Sequence, residues 1–408
     1  NNSINSCDAR NVTDMQYMFY NASAFNHTIG GMKLKAGVNM NGILQGTAID
    51  CDSLSATIAG WKAQAQNDTN LRSVNLNNFV DVNRYYDQNA RQNVYYLRSA
   101  PRSWQFNQIN RTLINCSDTA SAWFITEWKA SNNYIYFPAS GSNYTIKYIE
   151  IDNTGTEIGN WHTISNASSN HNINQHIQAG KRYRIKAFGG SFRQIYFYYY
   201  SNSRSDIQAV TQWGTTDWSS FNYAFYGCPN LDVTATDRPD LLNVEDMRYA
   251  FYECPALVNS NGSMRGWDTR NVKYMDYMFK GAISFNSPLD GWNTEKVQYM
   301  SGMFYNAASF NQPLSWNTSK VTDMSSMFWG AKAFNSAINF TNTEKVQNMG
   351  YMFYGAKAFN QPLSFNTSSV TNMYAMFQNA VSFNSPLNFT NTSKVENMAG
   401  MFSGAKVF

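Results

Sequence analysis

Residues 346–360 read VQNMGYMFYGAKAFN. The pattern V-x-x-M-x-x-M-F-x-x-A-x-x-F-N keeps returning, with its first Phe at Phe279, Phe304, Phe328, Phe353, Phe377 and Phe402. Successive intervals are 25, 24, 25, 24 and 25 residues. A fixed period of this length means one supersecondary unit per repeat, each burying its apolar face against its neighbours. Eight positions per unit are of buried type: Val346, Met349, Met352, Phe353, Ala356, Phe359, Leu363 and Phe365. The alternation of length comes from one corner. WNTSKV and FNTSSV alternate with FTNTEKV, where Thr341 or Thr390 adds a turn residue and leaves the core in register.

Before Phe279 the repeat is less regular. Phe225 and Phe251 mark two units in which Cys228 and Cys254 stand where later units have Ala. Adjacent strands lie about 4.8 Å apart, within the span a disulfide tolerates. The two cysteines are thus a possible disulfide, or two small core residues. At the other end, Val12, Met15, Met18, Phe19, Ala22, Phe25 and Asn26 match the motif, so residues 1–30 read as the end of a repeat solenoid. Residues 31–112 read as a terminal coil and an α/β cap. Met40, Ile43 and Leu44 hold the register, and Leu54, Ile58 and Trp61 have helical spacing up to an interruption at Gly60. RSVNLNNF alternates like a short strand, and residues 85–99 place Ala90, Val94 and Leu97 on one helical face.

Residues 113–206 lack the repeat. WFITEW, YIYF, YTIKYIEI, RYRIKAF and RQIYFYYY are β-branched and aromatic runs between turn-rich stretches, the pattern of a small antiparallel sandwich. Residues 165–174, rich in Asn and Ser, read as an exposed loop. Residues 207–408 are the main array. The expected fold is mainly β with short helices: a leucine-rich-repeat-like solenoid of 24/25-residue coils, a β-sandwich and a helical cap.

Composition narrows the function. Charged residues are 14% and aromatics 16%, so Asn, Ser, Thr and Tyr must carry the surface. With 31 basic against 27 acidic side chains, no basic face invites nucleic acid. No apolar run approaches the ~18 residues of a membrane span. Five cysteines without CxxC spacing define neither a disulfide framework nor a zinc site. Three of the four histidines (His162, His171, His176) fall in the sandwich, with no Cys or carboxylate cluster around them. No Ser-His-Asp set, paired carboxylates or phosphate loop has supporting context. Neither an enzyme nor a cofactor or metal is expected.

The motif MF-x-GA-x-x-F-N-x-x-L-x-x-W-N-T-x-x-V-x-x-M resembles the BspA-type leucine-rich-repeat bacterial surface proteins, over residues 207–408 and 7–30. AIDCDSLSATIAGW and the later YYDQNARQNVYYLRS resemble that family's usual ending. Residues 122–205, followed by AVTQWGTTDWSSFNYAFYGCPNL, resemble the PKD-like sandwich that precedes such arrays, although EIDNTGTE replaces the usual WGDG turn. The resemblance implies an extracellular or cell-surface protein that binds host or neighbour-cell components.

The chain opens at Asn1 without Met and closes at Phe408 in mid-motif, as a processed product or a window from a longer polypeptide does. Writing the end before the beginning gives AKVF-NNSINSCDARNV, in phase with AKAF-NSAINFTNTEKV. Asn1, Ile4, Val12, Val407 and Phe408 thereby form a candidate head-to-tail junction. Tyr196, Tyr198 and Tyr200, on one side of the terminal run IYFYYY, form a candidate contact surface, either for a ligand or for the adjoining array. The expected function is a structural unit of a filament or stalk, built from tandem or head-to-tail units whose partner is another such unit. The alternative is an adhesin for a host matrix protein or glycan.

Overall fold

The computed structural model describes residues 4–49, 51–76, 93–94, 97, 104–105, 123–198 and 203–408, with residues 51 and 52 described by backbone alone. Among the described residues the protein is mainly β, with one α-helix whose bounds are described, and it divides into two compact units, Asn1–Ala122 and Trp123–Phe408.

In the first unit, helix α1 (Cys51–Asn67) forms where the apolar spacing predicts it, with Leu54, Ile58 and Trp61 fully buried. The helix does not stop at Gly60. That residue is glycine because a Cβ there would meet the Gly30 carbonyl oxygen at 2.5 Å, and Gly30 likewise faces the Thr57 carbonyl. Parallel bridges run Asp14–Asn39–Asn75–Gln105, so the ladder continues at Asn75 and Gln105 after the motif has dissolved. Of the helix expected at residues 85–99, only Asn93, Val94 and Leu97 are described; they are helical, with Val94 and Leu97 buried.

The second unit contains a six-stranded sheet. Its strands are β1 (Phe124–Lys129), β4 (Tyr144–Ile151), β5 (Glu157–Ala167), β7 (Arg182–Phe188), β9 (Ile207–Gln212) and β10 (Asp232–Val233), in the order β10-β9-β1-β7-β4-β5. β10 runs parallel to β9, and every other neighbour is antiparallel. β2 (Ile135–Phe137) pairs with β6 (His171–Ile173), and β3 (Ala139–Ser140) with β8 (Gln194–Ile195). Two expectations are corrected here. Residues 165–174 are not a loop: they end β5, turn and enter β6. The boundary at residue 206 does not separate two cores, because β9 and β10 join the sheet and one buried core runs from Phe124 to Met401.

Each repeat is a ladder rung made mostly of turns rather than strand. Met352, Tyr354 and Ala356 N–H groups donate within the repeat, to Met349, Tyr351 and Phe353 carbonyls (3.2, 3.0 and 3.1 Å). The intervening Met349, Tyr351, Phe353 and Gly355 N–H groups donate to Asn372, Tyr374, Met376 and Gln378 of the next repeat (2.8–2.9 Å). The alternation requires left-handed backbone at two positions, Tyr351 (φ 60) and Gly355 (φ 65), recurring as Ala375 and Asn379, then Gly400 and Gly404. Gly and Asn tolerate this conformation best, which explains their place after the Phe. Short extended pairs follow at the opposite corner, where β11 (Leu363–Phe365) lies parallel to β12 (Leu387–Phe389).

All eight core positions named from the motif are buried, Val346 through Phe365. Phe353 stacks on Phe328 and Phe377 at 5.4 Å between ring centroids, so equivalent rings form a column. Polar residues form columns too. Asn311, Asn335, Asn360 and Asn384 N–H each donate to the Oδ1 of the Asn one repeat earlier at 2.8 Å. Asp323, Asn348, Asn372 and Asn397 accept on Oδ1 from the N–H two residues on, closing the turn that starts each rung. Buried Thr343 Oγ1 donates to the Asn366 carbonyl (3.0 Å) and accepts from its N–H (2.7 Å). Thr343→Val keeps the shape and removes both bonds. It should lower stability by about 1–3 kcal/mol in urea unfolding, whereas an unchanged midpoint would mean the threonine column carries no stability.

Candidate interaction surface

Where the repeat's left-handed turns face solvent, they carry rings. At the second residue after the first Met, Tyr223, Tyr249 and Tyr277 stack with centroids 4.7 and 5.4 Å apart and planes within 10°. A parallel column sits at the residue after the Phe. Tyr226 stacks on Tyr252 (4.5 Å), Tyr305 on Trp329 (5.1 Å) and Trp329 on Tyr354 (4.2 Å). Lys280 stands in that column between two of them, its Nζ 5.0 Å from the Tyr252 centroid and 4.7 Å from that of Tyr305. An ammonium over two ring faces continues the stack electrostatically.

The run IYFYYY enters this surface differently from the single strand expected. Among its described residues, strand β8 ends at Ile195. Tyr196 N–H then donates to the Pro138 carbonyl and Phe197 N–H to Tyr223, so the chain leaves the sheet for the first repeat. Phe197 is buried, while Tyr196 and Tyr198 lie on the other side. Tyr198 is 4.6 Å from Tyr223 and 5.5 Å from Tyr226, and Tyr196 is 5.8 Å from Tyr223. The two tyrosines thus head the array's aromatic columns. Tyr200 lies outside the described residues, as does Asn1.

The geometry limits what these rings can do. A sugar stacks on a free ring face, but within the columns the faces are taken by neighbouring rings. Ring edges and phenolic hydroxyls are what the stripe presents.

The remaining candidate positions fall as follows. Cys228 and Cys254 are both buried and free, so the possible disulfide is not formed; Cys254 Sγ instead donates to the Phe225 carbonyl at 3.0 Å. Burial pushes the Cys254 thiol up to about 12, which leaves it protonated and unreactive. His162 and His176 rings stack at 4.0 Å, and among the described residues no three His, Cys, Asp or Glu side chains group to hold a metal ion. No helix of the described residues is long and apolar enough to cross a membrane. Ile4 packs half-buried on the first unit's core, whereas Val12, Val407 and Phe408 are exposed.

One carboxyl in the array carries a pH dependence that motif reading missed. Asp276, beside Arg248 and Asp323, is pushed by burial up to about 6. A raised carboxyl contributes stability in its protonated form, fully present below about 4 and lost as pH rises through about 6. Asp276→Asn removes that loss. Its melting temperature should exceed the parent's by more at pH 7.5 than at pH 4.5; an equal difference at both would contradict the assignment.

A family described as Mycoplasma protein of unknown function, DUF285, matches residues 1–100, 219–339 and 314–408. The interval between the first two matches holds β1 to β9. No curated protein and no solved structure matches the chain.

Proposed function

The chain belongs to the DUF285 family, and from that premise we propose that it is a non-enzymatic structural protein of the cell surface, a unit of an extracellular filament or stalk. In this reading the repeats form a leucine-rich-repeat-like solenoid of the BspA type. The six-stranded sheet and its small companions act as an immunoglobulin- or PKD-like sandwich between arrays. The extracellular placement rests on the resemblance of the repeat motif.

One observation carries the structural role. Phe279, Phe304, Phe328, Phe353, Phe377 and Phe402 stack in turn, each ring nearly parallel to the next and 5.4–5.8 Å from it. Backbone hydrogen bonds join the same repeats. A column tied in this way resists bending and extension, as a stalk or filament unit must.

The stripe of ring edges favours a second role as an adhesive surface, toward a protein rather than toward stacked sugars. Electron microscopy of the purified chain over rising concentration separates the two. Fibres whose axial repeat matches one chain support the structural role. Particles that stay monomeric at every concentration and bind a matrix protein would overturn it in favour of the adhesin.

A further inference from the structure

We infer that His162 and His176 form an acid-opened latch: it holds the segment joining β6 to β7 against the sheet at neutral pH and releases it in acid. The inference uses the sheet alone and stands apart from the filament reading.

The two imidazoles stack face to face, with centroids 4.0 Å apart and planes within 9°. Tyr148 of β4 stacks on His162 at 5.1 Å. Nearly parallel rings direct their nitrogen lone pairs along parallel planes rather than at one point, so the pair is not a chelate. Among the described residues no carboxylate forms an ion pair with either ring. Neutral imidazoles stack favourably in this arrangement. Protonating both sets two positive charges 4.0 Å apart with no anion to separate them.

Only one member of the pair is free to yield. His162 is fixed by the sheet, opposite Tyr148 in the pairing of β4 with β5. His176 is exposed and lies between β6 and β7, in left-handed backbone (φ 55) that costs a residue with a Cβ. Its segment is tied down on both sides of it. The Tyr148 hydroxyl donates to the Gln175 carbonyl (3.1 Å), Gln178 N–H to the Tyr183 hydroxyl (2.9 Å), and Ala179 N–H to Asn133 Oδ1 (3.0 Å). Ile177 is buried in the sheet's core. Repulsion at His176 therefore pulls against these bonds, and opening relieves the left-handed turn.

The other titratable groups nearby leave the pair to itself. They are Tyr148 and Glu150 of β4, Glu157 of β5, His171 of β6, Lys181 just before β7, and Tyr183 within it. Burial pushes both tyrosines up, so they stay uncharged. Glu150 is taken by Lys181 at 2.8 Å, and Glu157 by Arg184 and the Trp161 indole N–H. Burial first, and His176 second, lower the proton affinity of His162. A lowered value means that the closed form favours neutral His162. The latch thus holds above the ordinary histidine range and weakens as pH falls through the lowered value.

Hydrogen exchange read by mass spectrometry, as protection relative to the unstructured rate at each pH, tests the latch on the intact chain. Protection across residues 174–181 should fall about tenfold or more between about pH 7.5 and about pH 5. His162→Phe and His176→Phe each keep a ring in the stack and lose its charge. In both, the fall should shrink to about twofold or less, while His27→Phe, in the other unit, keeps the parent's fall. An equal fall in the parent and both stack variants would overturn the latch, as would a parent whose segment ignores pH. Should the variants fail to fold, the parent decides alone. Its His162 ring signal in NMR should titrate below about 6.5, and a midpoint at or above that value would overturn the pairing.

Discussion

The backbone bond from one repeat to the next is what the array depends on. Four N–H groups per repeat, such as those of Met349, Tyr351, Phe353 and Gly355, are held outward while the groups between them close turns within the repeat. Neither set suffices alone. The turns need left-handed residues that cost about 1–2 kcal/mol where the side chain is not glycine, as at Tyr249, Tyr277 and Tyr351. The cost is borne because those positions are held twice over, by the bond to the next repeat and by ring stacking along the column. A single repeat has neither support.

Because the ladder advances by one repeat at a time, every side chain meets its own kind, and the motif's polar letters become as constrained as its apolar ones. Asn after Phe presents an Oδ1 to the next Asn N–H, Asp or Asn before Met closes its own turn, and Thr in the Asn-Thr corner caps the next repeat's backbone. The sheet is tied to the array by the same device. β9 leaves the sheet's antiparallel edge and accepts β10 in parallel, and Trp213 and Trp218 pack buried among Phe124, Phe221 and Trp267.

Much of this was legible in the sequence and some was not. The period and the eight core positions were readable because a stacked repeat writes its own register into the chain, and helix α1 because Leu54, Ile58 and Trp61 share one face. The polar columns recur at the same spacing and could have been found by it, but polar residues are usually read as surface. Strand β5 was missed since an edge strand exposed over most of its length shows no apolar alternation. Gly60 was misread because a close backbone approach and a helix end call for the same residue. Asn75 and Gln105 were invisible as rungs: a backbone bridge needs no particular side chain. Of the candidate surface, Tyr196 and Tyr198 were found from their run, yet their partners Tyr223 and Tyr226 lie in the next segment, and only the fold brings them together.

Stability resides in the bonds between repeats, and amide hydrogen exchange on the purified chain tests this residue by residue. Slow exchange, at the limit set by global unfolding, is expected for Met349, Tyr351, Phe353 and Gly355, whose N–H groups donate to the following repeat. Exchange at these four far faster than that limit would contradict it.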